Sequence, residues 1–143
     1  VGHSFRFWRP ARSEPVLREP AIALLKTVGL TDRAGMLAAN LAHGEQRQLE
    51  IAMALAAKPR MLLLDEPMAG MGLEESQRMI RFLQSLKRKQ TILLVEHDMD
   101  AVFALADRIS VMVYGKLIAT GSPEEIRGNP EVRTAYLGED VAR

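Results

Sequence analysis

Met61-Leu62-Leu63-Leu64-Asp65-Glu66-Pro67 is the stretch that decides how this sequence is read. Four apolar residues running straight into adjacent carboxylates describe a buried strand, and in open parallel sheets ligands bind in the crevice beyond the carboxyl ends of the strands. Asp65 and Glu66 are thereby delivered to such a crevice. Downstream, Thr91-Ile92-Leu93-Leu94-Val95 is a second apolar run, ending in Glu96-His97-Asp98, and upstream Leu41-Ala42-His43-Gly44-Glu45-Gln46-Arg47 opens a helix. A glycine-containing helix start, then an Asp-Glu strand end, then a His strand end reads as the nucleotide-handling half of a phosphate-chemistry domain.

Composition sets the frame around that stretch. A chain of 143 residues with 48% hydrophobic content can bury one real core but not two. Charged residues make up 26% and the formal net charge is +1, which argues against a nucleic-acid surface. No apolar run approaches the roughly 18 residues of a spanning helix, and no positively charged start leads into an apolar signal segment. With no cysteine there are no disulfides and no thiolate metal sites. The opening Val-Gly-His-Ser-Phe-Arg-Phe-Trp carries no recognisable start of a fold, so a piece of a longer protein is expected.

Residues 1–13 read as an irregular entry segment in which Trp8 is a packing residue. Propensity predicts a helix from Pro20 to Val28, stopping at Gly29, and a second short helix capped by Thr31-Asp32 and running to about Ala39. A helix over 45–57 places Leu49, Ala52, Met53 and Ala56 on one face and ends at Lys58-Pro59, because proline cannot continue it. Met68-Ala69-Gly70-Met71-Gly72 is a loop whose two glycines permit positive φ. The helix over 73–89 carries Glu74 and Glu75 in its first turn and Lys87, Arg88 and Lys89 in its last, matching the helix dipole. Asp98 is expected to cap a helix to Asp107. Two strands turning at Gly115 follow. Ser122-Pro123-Glu124-Glu125 is a capping box that starts a helix, and a last short helix occupies 131–137.

The chemistry rests on three places. Asp65 suits a hydrated Mg²⁺, a hard cation that wants oxygen ligands, and Glu66 beside it can orient or deprotonate an attacking water. The competing reading makes the pair surface acids or helix caps. His43-Gly44 at a helix start would aim backbone N–H groups and the positive dipole end at an anion, or would simply be a glycine-containing loop. His97 is placed to donate a hydrogen bond to a phosphate or to satisfy a carbonyl.

In order and spacing these three places resemble the later half of the ATP-binding subunit of ABC transporters, from about Glu19 to Arg143. The run from Leu41 to Glu45 is similar to that family's signature loop, Leu64-Asp65-Glu66 to the end of its Walker B strand with the catalytic glutamate, Met68 to Gly72 to its D-loop, and His97 to its switch histidine. Leu49-Glu50-Ile51-Ala52, Ala69-Gly70-Met71, Glu96-His97-Asp98-Met99 and Ala135-Tyr136-Leu137-Gly138 resemble the branched-chain amino acid importers in particular.

The resemblance implies an α/β fold: a partial P-loop-ATPase core of mostly parallel strands with helices, plus part of the ABC helical subdomain. One partial ATPase domain would span 1–143, with the helical subdomain and signature helix over about 14–57, the core over 58–121 and C-terminal helices over 122–143. It further implies that Glu66 and His97 are catalytic and that Asp65 holds Mg²⁺ through water. Ala42, His43, Gly44 and Glu45 would meet ATP bound to a second ATP-binding subunit, with Gly72 at the cross-dimer D-loop. Integral membrane permease subunits would be partners, a solute-binding protein only an indirect one, and nucleic acid none, which puts the subunit on the cytoplasmic face of the inner membrane, peripherally attached.

Three departures qualify this. Ala42 stands where the family's signature serine reaches the γ-phosphate, and Gly72 where its D-loop aspartate stands. No G-x-x-x-x-G-K-S/T occurs, so nothing in the chain cradles the β- and γ-phosphates, and the glutamine loop is also missing. The chain alone is therefore expected to be inactive. A non-catalytic fragment and a non-transport ABC ATPase are the alternative readings. The P-loop strand is expected between the Asp-Glu and His strands, so its loss should make those two strands close on each other or make the chain self-associate.

Overall fold

The computed structural model describes residues 14–136. The entry segment over 1–13, including Trp8, and the last residue expected in the C-terminal helix, Leu137, lie outside the described residues. Contrary to the expectation of a single core, the chain divides into two compact units, 1–95 and 96–143, each with buried apolar residues of its own.

The first unit begins with helix α1, Pro15–Thr27, which starts earlier than the sequence suggests and carries Pro20 inside it. Proline lacks the N–H that would pair with the carbonyl of Val16, a residue that is largely exposed, so water can take the place of that bond. The expected helix after Thr31 is instead two 3₁₀ turns, Thr31–Arg33 and Ala38–Asn40. Neither has a side-chain cap, and Gly35 between them disfavours helix continuation. Helix α2, His43–Ala56, packs against α1. Val28, Leu30, Leu41, Ile51 and Ala52 are buried in this part of the unit.

Lys58, with φ +50, reverses the chain after α2 and leads into strand β1, Met61–Asp65. Helix α3, Leu73–Lys87, carries the chain to strand β2, Thr91–Val95. The strands are parallel and in register from Met61↔Thr91 to Asp65↔Val95. Of the two outcomes expected for a chain without the P-loop strand, the two strands close directly on each other, joined by the single crossover through α3. The amide of Gln90 donates to the Pro59 carbonyl at 2.9 Å and ties the entries of both strands together.

Side chains alternate across a strand, so the sheet has two unlike faces. One face carries buried Leu62 and half-buried Leu64, Ile92 and Leu94. The other carries Met61, Leu63, Leu93 and Val95, all exposed, with Leu63 at 67% and Leu93 at 53%. Met79, Phe82, Leu83 and Leu86 form the buried stripe of α3 at helical spacing.

The second unit opens with Asp98, whose carboxylate accepts from the backbone N–H groups of Asp100 and Ala101 and caps helix α4, Met99–Leu105. Strands β3, Ile109–Val113, and β4, Lys116–Gly121, form an antiparallel hairpin. Its two-residue turn uses positive φ at both Tyr114 (+47) and Gly115 (+75), as a type I′ turn requires. A bulge at Val111/Met112 shifts the register. The capping box read from the sequence is present: the Ser122 hydroxyl accepts from Glu125 N–H, and the Glu125 carboxylate accepts from Ser122 N–H at 2.7 Å. It starts helix α5, Pro123–Gly128, and helix α6, Pro130–Tyr136, follows. Ile109, Val111, Ile126 and Val132 make the core of this unit.

Candidate nucleotide-handling site

Asp65 ends β1 on the same side of the sheet as Met61 and Leu63, and both Asp65 and Glu66 are exposed. Glu66 is the pivot of the region. Its φ is +44, a left-handed conformation uncommon for a residue with a side chain, and its N–H donates to the Val95 carbonyl at 2.9 Å. The last bond of the parallel pair thus holds Glu66 at the sheet's carboxyl edge while the backbone turns sharply into buried Pro67 and Met68. Such unusual φ values in a residue with a Cβ gather at functional sites.

The loop beyond it is tightly wound. Ala69 N–H donates to Glu66 O at 3.0 Å, and Met71 N–H donates to Met68 O at 3.1 Å. Gly70 alone uses a left-handed φ, +74; Gly72 is extended, at φ −72, and is the N-cap of α3.

The other part of the site in the first unit is the head of α2. Ala42 is its N-cap residue and has no hydroxyl to accept from the helix, so only the return half of a capping box exists: the Glu45 carboxylate accepts from Ala42 N–H at 3.0 Å. The other oxygen of Glu45 accepts from Arg33 Nε at 2.8 Å. The Arg33 hydrogen bond, then the Ala42 N–H, hold the Glu45 carboxyl below the usual carboxylate range, and the same pairing raises the Arg33 guanidinium. Gln46 donates to the Leu41 carbonyl at 3.2 Å and fixes the approach to the helix.

His43 faces the loop after Glu66, its Nε2 lying 3.1 Å from the Ala69 carbonyl. Gly44 is buried, and a Cβ added there would sit 3.4 Å from Glu75 Oε1. The structure therefore brings Asp65, Glu66, Ala42, His43, Gly44, Glu45 and Gly72 into one unit. The contact of His43 with Ala69 was not legible in the sequence, because 26 residues separate the partners.

His97 belongs to the second unit and is described within it. Its imidazole is 70% exposed, whereas the neighbouring Glu96 side chain is 1% exposed. Glu96 Oε2 accepts from His97 N–H at 3.2 Å and lies 4.0 Å from Nδ1.

The donor types fit the groups expected here. Asp65 offers hard carboxylate oxygens at an exposed strand end, but no cluster of three or more His, Cys, Asp or Glu stands ready for a metal among the described residues. Mg²⁺ binds proteins through one or two carboxylates and keeps water and phosphate oxygens as its other ligands, so a single aspartate suits it. Among the described residues no helix is long and apolar enough to cross a membrane.

The sequence pattern of the ABC transporter family matches residues 9–69, and that of the branched-chain amino acid ATP-binding cassette transporter matches residues 116–142. The chain belongs to the ABC transporter ATP-binding family. It is 45% identical over 134 residues to the high-affinity branched-chain amino acid transport ATP-binding protein LivG of Salmonella typhimurium, covering 92% of this chain and 52% of LivG. BraF of Pseudomonas aeruginosa, also a high-affinity branched-chain amino acid transport ATP-binding protein, is 44% identical over 130 residues, covering 90% of this chain and 51% of BraF.

Among solved structures, an ATP-binding cassette of an ABC transporter in its ADP conformation matches with a TM-score of 0.78 at 30% identity, covering 94% of this chain and 54% of that one. A nucleotide-free ATP-binding cassette matches at 0.77 and 29%. The α/β fold is thus that of ABC ATPase domains. This chain spans about half the length of the relatives it matches.

Proposed function

We propose that this chain is the portion of an ABC ATPase subunit that carries the signature loop, the Asp65-Glu66 pair and His97, and that the complete subunit hydrolyses ATP to drive import of branched-chain amino acids. The observation that carries the reading is Glu66: a carboxylate residue held in a left-handed conformation at the carboxyl edge of a parallel strand, next to Asp65. The similarity to LivG and BraF supplies the solute class.

In this reading the nucleotide supplies the phosphoanhydride that is broken. Asp65 would hold the Mg²⁺. Glu66 accepts the proton of the attacking water, a task that an exposed carboxylate beside the reacting group can perform. His97, with its backbone N–H held by the buried Glu96 and its imidazole in solvent, donates to a phosphate oxygen. The head of α2, where Gly44 carries no side chain of its own, serves the nucleotide of a second ATP-binding subunit. The subunit sits peripherally on the cytoplasmic face of the inner membrane against integral permease subunits. The three-part division over 14–57, 58–121 and 122–143 belongs to this proposal.

The test uses the complete subunit with its P-loop. Glu66→Gln should lower turnover by at least about a hundredfold while sparing Mg-ATP binding, because the amide keeps the shape but cannot take the proton. Turnover within a few-fold of wild type would remove Glu66 from the reaction. A second reading, a non-catalytic piece, is favoured for the chain by itself by the missing G-x-x-x-x-G-K-S/T. Calorimetric titration of this chain with Mg-ATP should show no saturable binding tighter than millimolar, and a micromolar isotherm lost in Asp65→Ala would refute that second reading.

A further inference from the structure

One residue of the α2 head does something that an anion-binding loop does not need. The His43 ring is engaged by the loop after Glu66: its Nε2 meets the Ala69 carbonyl at 3.1 Å. A carbonyl can only accept, so Nε2 is the protonated nitrogen. The same peptide stretch packs closely on the ring: a Cβ built at Gly70 would lie 3.5 Å from Nε2, and Gly70 is itself left-handed.

Ala69 in turn donates its N–H to Glu66 O at 3.0 Å, and Glu66 donates its N–H to Val95 O at 2.9 Å. These bonds form one line from the head of α2 through the backbone of Ala69 and then of Glu66 to the end of β2. At the same helix head, Glu45 accepts from Arg33 and from the Ala42 N–H and so holds the turn that precedes His43. A second contact runs parallel to the line, since Glu75 of α3 packs where Gly44 has no side chain.

We propose that His43 is a positioning residue: it ties the 66–72 loop to the head of α2, and through Ala69 it sets the backbone of Glu66. A displacement of the α2 head is then felt at Glu66. Its consequence for turnover rests on the proposed ATPase reading, whereas the tether itself does not.

Two measurements separate these. In this chain, amide hydrogen exchange at Ala69 should quicken about three- to tenfold in His43→Ala, the factor that corresponds to one ordinary hydrogen bond, and should return toward wild type in His43→Gln, whose side-chain N–H can reach the same carbonyl. Exchange at Ala69 that is the same in His43→Ala as in wild type overturns the tether, as does a quickening that His43→Gln does not reverse.

In the complete subunit, His43→Ala should lower kcat by a similar factor with KM for ATP changed less than about twofold, and His43→Gln should recover most of the loss. A rise in KM with kcat unchanged would make His43 a nucleotide contact and overturn the positioning role. If the wild-type complete subunit hydrolyses no Mg-ATP, the functional reading fails, and the exchange result still decides the tether.

Discussion

The two units of this chain finish their cores differently. In 96–136, hairpin β3–β4 and helices α5 and α6 enclose Ile109, Val111, Ile126 and Val132, and Tyr136 closes the edge by donating its hydroxyl to the Met112 carbonyl at 2.6 Å. In 14–95, α3 buries its stripe of Met79, Phe82, Leu83 and Leu86, but the sheet beside it leaves Met61, Leu63, Leu93 and Val95 in solvent. The proposed catalytic carboxylates stand at the end of this sheet.

The largest effect separating the units should come from truncating a side chain in each. Ile126→Ala removes a buried side chain and should cost about 2–5 kcal/mol in urea unfolding of the second unit. Leu63→Ala, at an exposed position, should change the stability of the first unit by no more than about 0.5 kcal/mol. Equal costs would mean that the Leu63 face is covered in solution and that the contrast between the units is false.

A smaller effect compares their two capping boxes. Ser122→Ala breaks a complete box and should cost about 0.5–2 kcal/mol, while Ala42→Ser completes a half box and should stabilise α2 by up to about the same amount. Thermal melts of both variants read this directly. A destabilising Ala42→Ser would show that the backbone at the α2 head cannot accept the added hydroxyl.

The smallest effect is acid sensitivity confined to the first unit. The Glu45 carboxyl is lowered by Arg33 and by Ala42 N–H, so the stability it contributes is present above the ordinary carboxylate range and is lost as pH falls through the lowered value. Its exposure and solvent screening keep the effect modest. Wild type and Glu45→Gln should differ in melting temperature near neutral pH and converge in acid, with the gap narrowing in high salt. A gap that persists at low pH would assign the role of Glu45 to packing.

Much of this was legible in the sequence because it is local. The apolar runs at Met61 and Thr91, the amphipathic stripe of α3, the Asp98 cap, the glycine turn and the Ser122 box each need only a few consecutive residues to be recognised. Pro20 misled in α1, because a proline after the first turn looks like a start when its lost hydrogen bond can be made up by solvent. Thr31-Asp32 misled as well, since a cap residue in the right place cannot sustain a helix with Gly35 inside it. In the site, residue types could be read but arrangement could not. Nothing in the sequence announces that Glu66 is left-handed or that His43 turns to Ala69, because both depend on elements meeting in three dimensions.

The spacing of the paired strands also bears on the order in which they form. Ser110 and Thr120, which bond across the β3–β4 hairpin, are 10 residues apart, whereas Gln90 and Pro59, at the mouth of the parallel pair, are 31 apart. Closing the longer loop costs about 1 kcal/mol more in chain entropy, and a hairpin closes within roughly 1–10 μs. The hairpin therefore registers first when the chain refolds from denaturant, with pulse-labelled amide exchange as the measurement, even though a ribosome delivers it last. Within this chain the strand that carries Asp65 is made before β2, the strand it pairs with.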